Sequence, residues 1–152
     1  MGTHYTGTEA EVRALDLYIK LTRAADAVNG RINRHLADEN LTISQFGVLE
    51  ALYHLGPLHQ HELAEKILKS TGNMTLVLDN LAKRNLIERC RDEEDRRYVT
   101  VHLTADGRAL IARMFPHHVA TVVAEMAVLS AAEQEQLAAL CRRLGRQETA
   151  AV

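Results

Sequence analysis

A chain of 152 residues accommodates one domain, or one small domain with an extension, and its 47% apolar content excludes a disordered polymer. No apolar run approaches the ~18 residues of a membrane span, and the two cysteines, Cys90 and Cys141, exclude a disulfide framework or a Cys-x-x-Cys zinc site. The formal net charge of −2 argues against indiscriminate attraction to polyanions, but the charge is uneven: Lys66–Arg108 carries nine basic and seven acidic residues, whereas residues 1–65 carry five and nine.

The opening MGTHYTGTEAE lacks a basic stretch followed by an apolar one, so no secretory signal is expected and the cytoplasm is the expected compartment. From Glu9 to Ala37, the residues Val12, Leu15, Ile19, Thr22, Ala25, Val28, Ile32 and Leu36 recur every three or four positions, which predicts one long helix. A helix of about 28 residues is long for a domain of this size, and pairing with a second chain is expected. Thr42 and Gln45 form a capping box for the next helix, which buries Phe46, Leu49, Leu52 and Tyr53 and stops at Gly56-Pro57. Gln60–Leu68 reads as a short helix with Leu63, Ala64 and Ile67 inward. Ser70 caps another that runs to about Arg84, with Met74, Val77, Leu78 and Leu81 inward. Two short helices joined by about three residues are the helix-turn-helix pattern.

Glu88–Gly107 carries a strand, a charged tip (Asp92, Glu93, Glu94, Asp95, Arg96, Arg97) and a return strand, Tyr98–Leu103. Such a β-hairpin is too short to bury a core of its own and suits a finger reaching for a polyanion. Thr104 opens a second long helix through Val128, with a bend expected near Phe115-Pro116 and an apolar face of Leu110, Met114, His118, Val122 and Met126. Ser130 and Glu133 form a capping box for a last helix with Leu137, Leu140, Cys141 and Leu144 on one side. The predicted fold class is mainly α with a small β-hairpin wing. Helical regions 1–40 and 105–152 would serve dimerisation around a winged helix-turn-helix at 41–104, intertwined as one domain.

The strings LTISQFGVLEAL, GPLHQHELAEKI, NMTLVLDNLAKRNLIER and DRRYVTVHLTADGRAL occur in this order over about 70 residues. Together they resemble the MarR family of winged helix-turn-helix transcription regulators, with Asp95-x-Arg97 where the family keeps its wing motif. KILKSTGNMTLVLDNL and Phe115-Pro116-x-His118 resemble the branch that contains methylhydroquinone-responsive repressors. The urate-responsive branch uses a tryptophan, which this chain lacks, and the organic-peroxide branch uses a cysteine in the first helix, which is also lacking. The resemblance implies a homodimeric repressor on double-stranded DNA, released by a small phenolic or quinone-like effector.

On that reading the second helix of the pair enters the major groove with its N-terminal residues toward the bases. Ser70, Thr71, Asn73 and Thr75 are the candidate contacts, because hydroxyls serve bases or phosphates and Asn pairs with adenine. Gly72 allows close backbone approach, and Lys69 is a candidate for the phosphates, as are Lys83 and Arg84. Arg97 is the expected minor-groove contact, held in orientation by Asp95 through a charge-assisted bond. Arg96, Arg89 and Arg91 contact phosphates or stay solvated, while Asp92, Glu93 and Glu94 stay in solvent at the turn. Two-fold symmetry implies a pseudo-palindromic operator with half-sites roughly 10 base pairs apart.

Other constellations compete. Cys90 between Arg89 and Arg91 is either an ordinary thiol or a redox switch, since nearby cations favour the thiolate. His59-x-His61 and His117-His118 lack the i, i+4 spacing that places two imidazoles on one helix face, so no metal is expected, although a metal-responsive helical dimer is the rival reading. A core or dimer-interface histidine is one reading of His118. The other is a polar group in an effector pocket lined by Phe46, Tyr53, His54, Met114 and His118. No Gly-rich phosphate loop, Gly-x-Ser-x-Gly elbow or metal-ligand cluster supports catalysis, so no enzyme activity or cofactor is expected.

Overall fold

The computed structural model describes residues 2–67 and 71–147. The chain forms two compact units, one ending at His118 and the other starting at Val119.

In the first unit, α1 spans Glu9–Ile32. Thr8 caps it in a reciprocal box: its hydroxyl accepts from the Glu11 N–H, and the Glu11 carboxylate accepts from the Thr8 N–H at 2.8 Å. The expected single α-helix to Ala37 ends earlier, because Asn33–Glu39 tightens into a 3-10 helix. At its start the Asn33 side chain donates to the Asn29 carbonyl at 2.8 Å and the His35 ring bonds the Ile32 carbonyl at 2.7 Å. Such local side-chain bonds compete with the α-helical ladder. Asn40, left-handed at φ 53°, closes the turn, and Leu36 enters the core. Of the eight positions in the predicted apolar stripe, only Ile32 and Leu36 are buried.

Helix α2 (Ile43–Leu55) carries the predicted Thr42–Gln45 capping box, buries Phe46, Val48, Leu49 and Leu52, and ends at Gly56 with φ 78°. Strand β1 (Leu58–His59) leads into α3 (Gln60–Ile67), and α4 (Thr71–Lys83) follows. Leu63, Met74, Leu78 and Leu81 are wholly buried in one core with Val48 and Leu49. Full burial stabilises each such side chain by roughly 1.5–3 kcal/mol.

The predicted hairpin is β2 (Ile87–Arg91) and β3 (Val99–Leu103), paired antiparallel with Arg89 opposite Val101. The structure adds β1, which pairs with the other edge of β3 and gives the order β1-β3-β2. Central Val101 is fully buried and Ile87 nearly so. A hairpin too short to stand alone is thus rooted in the core through a third strand of two residues.

Helix α5 (Ala105–Met126) begins on Thr104, whose hydroxyl accepts from the Gly107 N–H at 3.0 Å and donates to the Asn85 carbonyl at 2.6 Å. The Thr104 N–H bonds the Leu86 carbonyl, and Gly107 lies so close to that carbonyl that an added Cβ would stand 2.9 Å from its carbon and nearer still to its oxygen. The helix continues through Pro116, where a bend was expected. Pro116 and Ala112, whose carbonyl loses its helical partner, both lie on the exposed side.

The second unit holds the end of α5 and α6 (Ala131–Arg146), with the predicted Ser130–Glu133 capping box. The Gln134 side chain donates to the Met126 and Leu129 carbonyls, each at 3.0 Å. No residue of α6 is buried, and Leu137, Leu140 and Leu144 are all exposed. Among the described residues no helix is long and apolar enough to cross a membrane.

Candidate nucleic-acid interface

Helix α4 divides its residues by period. Met74, Leu78 and Leu81 face the core, which turns Gly72, Asn73, Thr75 and Leu76 to the exposed side. The Gln60 amide donates to the Thr75 hydroxyl at 2.9 Å, tying the start of α3 to the outward face of α4. Of the predicted contacts, Thr71 opens α4. Lys69 and Ser70 lie outside the described residues.

The wing tip is shaped by its acids. The Asp92 carboxylate accepts from the N–H groups of Glu94 (2.8 Å) and Asp95 (3.1 Å), so it folds the turn and does not merely sit in solvent as expected. Those backbone bonds hold its pKa below the ordinary carboxylate value. Asp95 grips Arg97: Nε donates to both carboxylate oxygens, at 2.9 Å to Oδ1 and 3.1 Å to Oδ2, Nη2 donates at 2.6 Å to Oδ2, and the Arg97 N–H donates to Oδ1 at 3.0 Å. The pairing lowers the Asp95 pKa and raises that of Arg97. The Arg97 side chain remains 85% exposed. Arg96 is exposed beside it.

Two other arginines have structural partners. Arg89, expected on phosphates or in solvent, is ion-paired across to Asp79 of α4 at 2.7 Å. Arg84, a candidate phosphate contact, donates to the Asn40 and Glu39 carbonyls, both at 2.9 Å, and caps the 3-10 helix. Neither role is visible in the sequence, because each partner is set by tertiary packing.

At the wing root, His59 and His61 stack with centroids 5.6 Å apart, and Tyr98 packs on both. The His59 ring nitrogen meets the Thr100 hydroxyl at 3.2 Å, and its backbone N–H donates to Glu62. These histidines therefore brace the wing. Among the described residues no three His, Cys, Asp or Glu side chains form a group fit to hold a metal. Cys90 and Cys141 are free and exposed.

The residues read as an effector pocket do assemble. Phe46 and His118 lie 4.6 Å apart by ring centroid, and Phe115 bridges His118 (6.0 Å) and His54 (4.5 Å), with Tyr53 5.1 Å from His54. Met114 is buried in the same core cluster as Phe46. The structure adds His35, 5.3 Å from His118 and 6.1 Å from Phe46. In sequence His35 is only a neighbour of the apolar positions Ile32 and Leu36, so periodicity carries no signal for it. His35 Nε2 and His118 Nδ1 are both buried without a hydrogen-bond partner. Burial is the main cause that pushes the His118 pKa down; His35 and His117 add to it and Glu50 opposes it.

A folded state that keeps His118 neutral binds fewer protons than the unfolded chain, so stability rises with pH. Thermal stability is expected to fall as pH drops through the ordinary imidazole value of about 6.5, and to stop falling on this account below the depressed folded value. Melting curves from about pH 8 to about pH 5 test this. His118→Gln should flatten the profile, and an unchanged slope in the variant would remove His118 as its source.

Paired helices and an arginine-tipped wing invite comparison with known regulators. A model of the MarR family matches residues 41–99. The HTH-type transcriptional regulator MhqR of Bacillus subtilis is 34% identical over 133 residues, covering 88% of this chain and 92% of MhqR. The chain belongs to the MarR family. Among solved structures, MarR-like architecture recurs in BpsR of Bordetella bronchiseptica at TM-score 0.77 and 29% identity, over 85% of this chain and 98% of BpsR. It recurs also in a mutant of MarR from E. coli complexed with operator DNA, at TM-score 0.72 and 26% identity, over 84% of this chain and 94% of that one. As a MarR-family member the chain is a DNA-binding transcriptional regulator.

Proposed function

We propose that this MarR-family regulator is a cytoplasmic homodimeric repressor, bound to a pseudo-palindromic operator and released by a small phenolic or quinone-like effector. The observation that carries the DNA reading is the grip of Asp95 on Arg97, which presents an exposed guanidinium at the tip of a rooted wing. Arg97 enters the minor groove, where narrow A·T-rich tracts concentrate negative potential. Gly72, Asn73 and Thr75 face the major groove, with Arg96 toward the phosphates. Arg89 is left out of the contact set, because Asp79 already neutralises it.

Dimerisation through 1–40 and 105–152 is supported by apolar surface that one protomer leaves open: Leu17 and Tyr18 of α1, Val123 of α5, and the leucines of α6. The effector reading is supported by the orphan nitrogens of His35 and His118 among Phe46, Tyr53, His54 and Met114. The Ile32 carbonyl can only accept, so His35 Nδ1 carries the proton of a neutral ring and Nε2 offers a lone pair. An aromatic hydroxyl that donates there would satisfy it. BpsR, whose DNA binding is regulated by 6-hydroxynicotinic acid, is a precedent for an aromatic effector.

Selection from a randomised duplex library with the purified protein tests the DNA reading. The expected product is a two-fold motif with half-sites roughly 10 base pairs apart. Its affinity should fall steeply with salt, since each neutralised phosphate releases counterions. Release of that duplex by millimolar hydroquinone tests the effector arm. Enrichment of no motif, or of one without two-fold symmetry, would overturn the operator reading.

A further inference from the structure

One residue on the reading face of α4 is neither polar nor buried. Leu76 is 62% exposed, on the side shared with Gly72, Asn73 and Thr75, while Met74, Leu78 and Leu81 fill the core. One turn before it stands Gly72, where an added Cβ would meet nothing within 4 Å. Helical side chains lean back toward the N-terminus, so the isobutyl group of Leu76 covers the surface over Gly72. The pair makes a small apolar patch in an otherwise polar face, with a floor low enough for a base edge to approach.

The major groove presents donors and acceptors from every base pair, but among the four bases only thymine adds an apolar group, its C5 methyl. A leucine set against amino and carbonyl groups alone would strip their water and return nothing. Set against a methyl, it removes apolar surface from water on both sides. We propose that Leu76, floored by Gly72, reads a thymine methyl in each half-site. This rests on the operator reading above and goes beyond it by assigning a base to an apolar contact.

The test uses the selected duplex as probe, with each thymine replaced in turn by deoxyuridine, which lacks only the methyl. Wild-type protein should lose about fourfold in affinity per half-site at one symmetry-related thymine pair, the value of burying one methyl-sized group. Leu76→Ala should bind the parent duplex more weakly and lose nothing further at that pair. Its melting temperature should match the wild type, because the side chain is exposed. The inference fails if no thymine position is sensitive in the wild type, or if Leu76→Ala keeps the same sensitivity. If selection enriches no duplex at all, the operator reading fails and this inference with it. A motif that is enriched but insensitive to deoxyuridine sinks the inference alone.

Discussion

Gly107→Ala is expected to lower thermal stability more than the same change at any other glycine of the chain. At this position α5 is laid on the turn that precedes β2, and an added Cβ collides with the Leu86 carbonyl and presses on Leu103 at 3.2 Å. A carbonyl held by the Thr104 N–H cannot swing aside as a flexible side chain would. Overpacking of this kind costs about 3 kcal/mol, near the upper end for one buried methyl. For a chain of this length the melting point should drop by roughly 10 °C at fixed protein concentration. Gly30→Ala supplies the contrast: that site lies within α1 with nothing within 4 Å, so the same substitution should stabilise by about 0.5–1 kcal/mol. A melting point for Gly107→Ala equal to or above that of the wild type would show that α5 does not dock on Leu86 in this way.

Arg97→Ala is expected to weaken binding of the selected operator about ten- to a hundredfold at matched salt while leaving the melting point unchanged. The side chain is exposed and held by Asp95, only two residues away, so the fold does not lean on it. Arg97→Lys separates charge from shape. It keeps the cation but loses the planar fork, so the salt dependence should persist while the preference for the operator over random duplex falls. Asp95→Ala probes orientation by the opposite route. Removing an acid near DNA should favour binding to any sequence, yet freeing Arg97 should erode the operator preference. Fluorescence anisotropy of all three variants on operator and random duplex reads both quantities. Operator affinity unchanged in Arg97→Ala would remove the wing tip from the interface.

Much of this was legible from residue order. Thr42–Gln45 and Ser130–Glu133 announced helix starts because a capping box is a local exchange of hydrogen bonds. Gly56 ended α2 because only a residue without Cβ accepts its φ cheaply. Core positions such as Leu49, Leu63, Met74 and Leu78 followed from the helical period, and the resemblance carried by the four strings led to the family.

Other features depend on partners distant in sequence. Strand β1 has two residues, too few for any alternation, and exists because β3 offers an unpaired edge. Arg84 and Arg89 look like phosphate contacts by type, and only packing brings the Glu39 and Asn40 carbonyls to one and Asp79 to the other. His35, on the 3-10 helix, meets His118 of α5 across a long stretch of sequence. Local hydrogen bonding and periodicity, which act over three or four residues, were sufficient for most helices, two of the caps and the core faces of α2, α3 and α4. The Asp79–Arg89 ion pair, the third strand and the imidazole cluster join residues well beyond that reach, and only the folded chain supplies their proximity.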